Sequence, residues 1–227
     1  WSSLVGSEMC IRDRIMIYDI FKVGVYRTNL NLDIDAIFKY SNNLEKIYKE
    51  NCAHKSNRGG FQTPNLPAGS HSPIVKSNRG GFHSGNLTES DDDSNQLLKT
   101  LVENISHHVN VYGKELGYNN LKLDNIWCNI NYYKDYNEIH NHPGGKVSGV
   151  YYVKAPKDCG SITFYSPSFR EVTQAKLAVN DNHYSSQTWW LPAVENHLYL
   201  FPSYITQSVN PNMCEDEARI SYSFNYW

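Results

Sequence analysis

His140 and His142 are separated by a single residue. On an extended segment they project to the same side, because side chains alternate along a strand. Two imidazoles on one side can hold a single metal ion. Alone, the pair is equally compatible with a surface turn. Further along, Arg219, Ser221, Ser223 and Asn225 alternate with Ile220, Tyr222, Phe224 and Tyr226. A strand here has one polar and one apolar face, with a guanidinium and a hydroxyl side by side. A guanidinium grips a carboxylate through two parallel hydrogen bonds, which lysine cannot copy. An anonymous amphipathic strand turns its polar face to solvent. In a small barrel with a buried site that face turns inward, and the histidine pair favours this orientation.

The elements that must position these groups follow from periodicity. Residues 126–133, 146–153, 161–165, 198–201, 205–209 and 219–226 read as short strands separated by Pro, Gly and Asn turns. Ahead of them the period is helical. Ile34, Ile37, Phe38, Leu44, Ile47 and Tyr48 mark a helix over 33–49, with Asp33 and Asp35 at its dipole-favoured start. Leu97, Leu98, Leu101, Val102, Ile105, Val109, Tyr112 and Leu116 mark another over 95–116, with Ser94 as cap and Gly117 as stop. A strand is expected over 16–26. The predicted class is mainly β with flanking helices, a jelly roll of the cupin-like, double-stranded β-helix type. Residues 121–227 form its core, and 16–120 supply a strand, helices and a Gly/Ser-rich loop that buttress it within a single domain.

That loop carries an internal repeat. Residues 55–62, KSNRGGFQ, recur as residues 76–83, KSNRGGFH. Two copies are too few for a solenoid. The plain reading is a tandem duplication in a tolerant loop; the sharper one is a substrate-covering loop that exposes an aromatic and an arginine. Residues 1–14 contain Glu8-Met9-Cys10-Ile11-Arg12-Asp13-Arg14, which resembles a translated sequencing-adapter end from a metagenomic gene assignment, so they are set aside and Met16 is the expected start.

The chain has 227 residues, a net charge of −2 and 17 tyrosines. The size suits one domain with a real core. The charge gives no field for nucleic acid, and the tyrosines favour strands. Five scattered cysteines, without C-x-x-C spacing, argue against a disulfide framework and a structural zinc. No apolar run is long enough to span a membrane, and a cytoplasmic location is the expectation.

Several segments together carry a resemblance. They are His140-Asn141-His142-Pro143, Val147 to Val153, Leu200-Phe201-Pro202-Ser203, Val209-Asn210-Pro211-Asn212 and Arg219 to Asn225. Their order and spacing resemble the iron(II)- and 2-oxoglutarate-dependent oxygenases, of a type found in marine bacteria and their phages. The resemblance covers residues 16–227, most densely 126–226. It implies a dioxygenase that uses iron(II) and 2-oxoglutarate, with ascorbate as reductant, to hydroxylate a C–H bond while releasing succinate and carbon dioxide. The substrate it implies is a small molecule or a peptide. His140 and His142 fall at metal-ligand positions. Arg219 falls where the distal carboxylate of 2-oxoglutarate is gripped, with Ser221 adding a hydroxyl. Asn129, Tyr133 and Tyr151 are further candidates for the same pocket.

One position departs from the family pattern. Sixty-five residues after His142 and twelve before Arg219, where the resemblance implies the third metal ligand, stands Gln207. An amide oxygen is a weaker iron(II) donor than an imidazole. Asp135, Glu138, His183 and His197 lie near in sequence but at the wrong spacing. The expected activity is therefore an oxygenase with His140, His142 and Gln207 at the metal, impaired at Gln207. The alternative is a non-catalytic jelly-roll binding protein that keeps the anion pocket.

Overall fold

The computed structural model describes residues 23–49, 60–62, 78–79, 81–83, 87, 96–167, 182 and 186–227. The adapter-like segment, most of the expected strand at 16–26, the Ser94 cap and His183 lie outside these residues. The order of elements is β1 (Tyr26–Asn29), α1 (Ile34–Lys49), β2 (Gly60–Gln62), β3 (Asn78–Arg79), β4 (Gly81–His83), α2 (Gln96–Glu115), β5 (Leu123–Asn131), β6 (Tyr136–His140), β7 (Val147–Lys154), β8 (Ser161–Tyr165), β9 (Thr188–Pro192), β10 (His197–Pro202), β11 (Gln207–Val209) and β12 (Arg219–Tyr226).

The start of α1 and the end of α2 are those their sequences dictate. Asp33 Oδ1 accepts a hydrogen bond from Ala36 N at 3.1 Å, satisfying one of the free amides of the first turn of α1. After α2 the chain turns at Gly117, whose φ of +83° is the left-handed conformation that glycine adopts without steric cost. Tyr118 N then donates to Gly113 O at 2.8 Å and closes the helix end.

The strands form two sheets. One has the order β1-β10-β7-β12-β5-β4-β2 and the other β3-β6-β11-β8-β9. From β5 to β12 the chain alternates between them, except that β8 and β9 pair within one sheet. β5, β7, β10 and β12 join the larger sheet, while β6, β8, β9 and β11 join the smaller, which is the winding of a double-stranded β-helix. Each sheet thus has an outer and an inner face, and residue parity decides which face a side chain takes.

The outer face of the larger sheet carries the helices. Ile37 and Leu44 of α1 and Leu101, Ile105 and Val109 of α2 pack with Ile126, Cys128, Ile130, Tyr151, Leu198, Leu200, Ile220, Tyr222 and Phe224. The tyrosines keep their hydroxyls paired here: Tyr222 with Ser41 Oγ at 3.0 Å and Tyr226 with Ser106 Oγ at 2.7 Å. The inner face holds a second, smaller apolar cluster of Val150, Tyr152, Ile162, Phe164, Tyr199, Phe201 and Ile205. The remainder of the interior is polar.

Several elements differ from expectation: β6 and β9 are not among the expected strands, and β1 begins at Tyr26, where the expected strand over 16–26 ends. The strand placed at 205–209 begins at Gln207, because Pro202 to Thr206 turn, with Ile205 N donating to Pro202 O at 3.0 Å. The repeat is also not wholly loop. Its second copy pairs with β5, Phe82 opposite Ile130 and His83 opposite Asn129. Its first copy lies parallel and outside the second, with Phe61 opposite Phe82. Equivalent residues of the duplication are thus in register.

Candidate active site

The polar interior is built by strand parity. On β12, Arg219, Ser221, Ser223 and Asn225 stand opposite Asn131, Asn129, Trp127 and Asn125 of β5. This two-strand ladder faces the smaller sheet. On that sheet, Gln207 of β11 stands between His140 of β6 and Phe164 of β8. His140 closes β6 and His142 follows two residues later, and their ring centroids lie 5.0 Å apart. Residues distant in sequence therefore meet across the barrel.

At the centre, both imidazoles turn Nε2 toward the Gln207 amide. Gln207 Nε2 lies 2.8 Å from His140 Nε2 and 3.2 Å from His142 Nε2. The orientation of the amide follows from His140. Its Nδ1 lies 2.7 Å from the backbone oxygen of Glu138, which can only accept, so Nδ1 carries the proton. Nε2 of the neutral ring is then a bare lone pair, and it is the amide N–H that satisfies it. Burial lowers the pKa of His140, and burial followed by repulsion from His140 lowers that of His142 to about 3. Both rings are neutral at pH 7.

The backbone supports this arrangement through residues that the sequence had marked only as motif. Ser203 O accepts from His142 N at 2.9 Å, and Ser203 Oγ meets Ser148 Oγ at 2.7 Å. Gly145 allows that approach, because a Cβ there would sit 2.7 Å from Ser203 Oγ. The Phe201-Pro202-Ser203 segment thus fixes the loop that presents His142.

At the other end lies Arg219, 1% exposed. Its Nη1 donates to the backbone oxygens of Cys159 and of Asn210, the latter at 2.8 Å. Asn212 braces the same loop, with Nδ2 donating to Asn131 O at 3.0 Å and to Glu217 O at 2.9 Å. The Val209-Asn210-Pro211-Asn212 motif is therefore the cradle of Arg219. Among the described residues the ion pairs are Lys154 with Glu195 and Lys154 with Glu217. Arg219 belongs to neither, although Asp135 is near enough to favour its charge.

Among the described residues, four buried side-chain polar atoms lack a hydrogen-bond partner: Asn129 Oδ1, Tyr152 OH, Gln207 Oε1 and Arg219 Nη2. All four belong to side chains on the inner faces of the two sheets. Buried polar groups are ordinarily satisfied, so this concentration of unmet bonding makes the interior, hereafter the chamber, the candidate site. Arg219 Nη2 and Tyr152 OH are the donors it offers to an anion.

Tyr152 was missed by the sequence reading, and the signal that identifies it is parity. Ser221 pairs with Tyr152, and Tyr222 with Tyr151. Tyr151, a candidate from sequence, therefore faces the helices, where its hydroxyl donates to Asn196 Oδ1 at 2.8 Å. Tyr133, another candidate, lies on the turn after β5, 37% exposed, with Lys134 Nζ over its ring. Neither lines the chamber. Asn129 and Ser221 do, side by side on the inner face. Of the alternative ligands, His197 is tied at the start of β10 by Nδ1 to Glu195 O. Among the described residues, no three His, Cys, Asp or Glu side chains come together as a metal-binding group.

The donor set can now be tested against iron(II). His140 and His142 fit, since both turn Nε2 toward one point. Gln207 does not fit as it stands. It turns N–H, not oxygen, toward that point, and no carboxylate completes the two-histidine facial arrangement favoured by non-heme iron(II).

This winding is that of a double-stranded β-helix. Residues 125–225 match the model of the family described as "Putative 2OG-Fe(II) oxygenase". Solved structures agree in fold. A prolyl-4-hydroxylase from Pseudomonas putida aligns with a TM-score of 0.52 and 14% identity, covering 90% of this chain and 92% of that one. A Trichoplax adhaerens prolyl hydroxylase, solved with a hypoxia inducible factor peptide, aligns at 0.58 and 13%, covering 90% and 79%. HygX from Streptomyces hygroscopicus, solved with nickel and 2-oxoglutarate, aligns at 0.52 and 10%, covering 90% and 82%. No match to the sequence was found among curated proteins. No described helix is long and apolar enough to cross a membrane.

Proposed function

We propose that this chain is a hydroxylase-type 2-oxoglutarate oxygenase whose iron(II) affinity and turnover are held low by Gln207. The family match of residues 125–225 supports the class. The single observation that carries the reading is the Gln207 amide lying within hydrogen-bond reach of both histidine Nε2 atoms. The family geometry is kept, while the third donor is one that iron(II) favours less.

In this reading each residue has a defined task. His140 is held in the Nδ1–H tautomer by its bond to Glu138 O, so its Nε2 is ready to ligate without losing a proton. Arg219 and Tyr152 bind the distal carboxylate of 2-oxoglutarate. Ser221 and Asn129 line the space between. The apolar cluster of Phe164, Tyr199 and Phe201 excludes water from one wall. The substrate is a small molecule or a peptide, and the fold alone does not choose between them.

The test is an anaerobic iron(II) titration followed by succinate release with oxygen, 2-oxoglutarate and ascorbate, for the native protein and Gln207→His. The expected result is weak binding and slow or undetectable release in the native form, with both raised together in the variant. Full activity of the native form with no gain in the variant would overturn the reading of Gln207.

A further inference from the structure

We infer that the chamber binds carboxylic acids without a metal ion and without preference for a 2-oxo group. The inference rests on the reading of Arg219 as the carboxylate anchor. It goes beyond that reading in removing the metal from the binding step.

Three observations carry it. First, Arg219 is a buried cation outside every ion pair of the described residues, with Nη2 unpartnered. Asp135 offsets this buried charge only from a distance, without an ion pair, and a buried charge so weakly paired is costly, so the ligand-free chamber gains by taking an anion whether or not a metal is present. Second, the Tyr152 hydroxyl is also unpartnered and 1% exposed. It stands on the strand next to Arg219, in register with Ser221. Two unmet donors thus stand on adjacent strands of one inner face. Third, the Gln207 amide nitrogen lies against both imidazole Nε2 atoms, at 2.8 Å and 3.2 Å, and donates to that of His140. These are the imidazole nitrogens that a metal would need, and through a metal a 2-oxo acid would gain its extra contacts. With the amide in their place, the oxo oxygen has no partner that a plain methylene would miss.

Arg219 therefore supplies the affinity, and the far end of the ligand is read only by size and polarity. A five-carbon diacid with the oxo group and one without it, 2-oxoglutarate and glutarate, are the probes that separate this from metal-assisted binding.

The experiment is isothermal calorimetry of the full chain with each acid, in chelator and again anaerobically with equimolar iron(II), repeated on Arg219→Lys. The expected result is binding of both acids in chelator, with affinities within fivefold of each other. Iron(II) should change neither by more than fivefold, and both should weaken by tenfold or more in the lysine variant. Binding of 2-oxoglutarate that tightens more than fivefold with iron(II), or that exceeds glutarate more than fivefold, overturns the inference while leaving the oxygenase reading intact. Binding of neither acid under either condition, or binding indifferent to Arg219→Lys, overturns the carboxylate anchor and the inference with it. A circular-dichroism melt of the variant separates a lost contact from a lost fold.

Discussion

Gln207 Nε2 stands 2.8 Å from His140 Nε2, across the β11–β6 pair in which these two residues are direct partners. The contact joins a neutral donor to a neutral lone pair, and the tautomer that permits it is set on the far side of the ring by Glu138 O. The centre is thus satisfied by the chain itself, apart from Gln207 Oε1, which is left without a partner.

The lowered histidine pKa values make stability depend on pH. In the unfolded chain both imidazoles titrate near 6.5. In the folded chain His142 does so at about 3, and His140 is also lowered. Below about pH 6.5 the unfolded chain therefore holds more protons, and stability falls with pH in that window. His142 alone should lose at most about 2 kcal/mol between pH 7 and pH 5, with a further loss of the same sign from His140. Urea unfolding at the two pH values measures this. The difference should shrink in His142→Gln, and an equal difference in both proteins would refute the assignment.

Tyr151 and Tyr152 offer a paired test, since they are neighbours in sequence and opposites in environment. Tyr152→Phe removes a buried hydroxyl that has no partner. An unsatisfied buried polar group costs about 1–3 kcal/mol, so the ligand-free variant should be more stable while binding carboxylates several-fold more weakly. Tyr151→Phe removes a hydroxyl that donates to Asn196. It should cost about 1 kcal/mol and leave carboxylate binding alone. Thermal melts with and without 2-oxoglutarate read both effects. Two variants that behave alike would show that parity does not separate their roles.

Much of this was legible in the sequence, and the parts that were not have physical reasons. The helices at 34–49 and 96–115 and the strands at 161–165 and 219–226 followed from periodicity, because each buries a continuous apolar face. His140, His142, Gln207 and Arg219 were found from spacing, and Arg219 from the parity of its strand. Tyr151 was chosen over Tyr152 because β7 is buried on both faces and shows no alternation to fix its orientation. β9 was missed because Trp189 and Trp190 are consecutive and both more than half exposed, which breaks the period-2 pattern. The pairing of the two repeat copies was invisible because β2 and β4 are three residues each, too short to show a period.

Gly160 tests the cradle of Arg219 from outside the chamber. Its φ is +87°, and a Cβ would meet Asn210 O at 2.5 Å, Pro211 O at 2.8 Å and Arg219 Nη1 at 3.0 Å. An L-residue in that conformation costs about 1–2 kcal/mol before any clash. Gly160→Ala should therefore lower stability by more than about 2 kcal/mol and weaken carboxylate binding, because the carbonyls that hold Nη1 must shift. Gly24→Ala, where nothing lies within 4 Å of the added carbon, is the control and should bind normally. A Gly160 variant with unchanged stability and binding would show that the loop yields freely and does not fix Arg219.

Gln207→Glu separates a centre built to be metal-free from one that merely has a poor ligand. The substitution keeps the shape and replaces the amide N–H donors with carboxylate oxygens. In the native protein the amide nitrogen donates to His140 Nε2 and lies 3.2 Å from His142 Nε2. In the variant, oxygen faces the His140 lone pair at 2.8 Å unless an imidazole takes up a proton, which burial opposes. Loss of the amide's contacts to two buried imidazole nitrogens should cost about 2–4 kcal/mol, or roughly 4–16 °C in melting temperature for a chain of this size. The same oxygens complete a two-histidine, one-carboxylate set suited to iron(II). Anaerobic iron(II) should then recover the loss, since a ligand at a hundred times its dissociation constant adds about 2.7 kcal/mol. The native protein, melted beside it, should gain little from the metal. Two proteins of equal stability in chelator would mean that the amide does not hold the histidines, and a native melt that rises as far as the variant's would mean that Gln207 already serves as a full ligand.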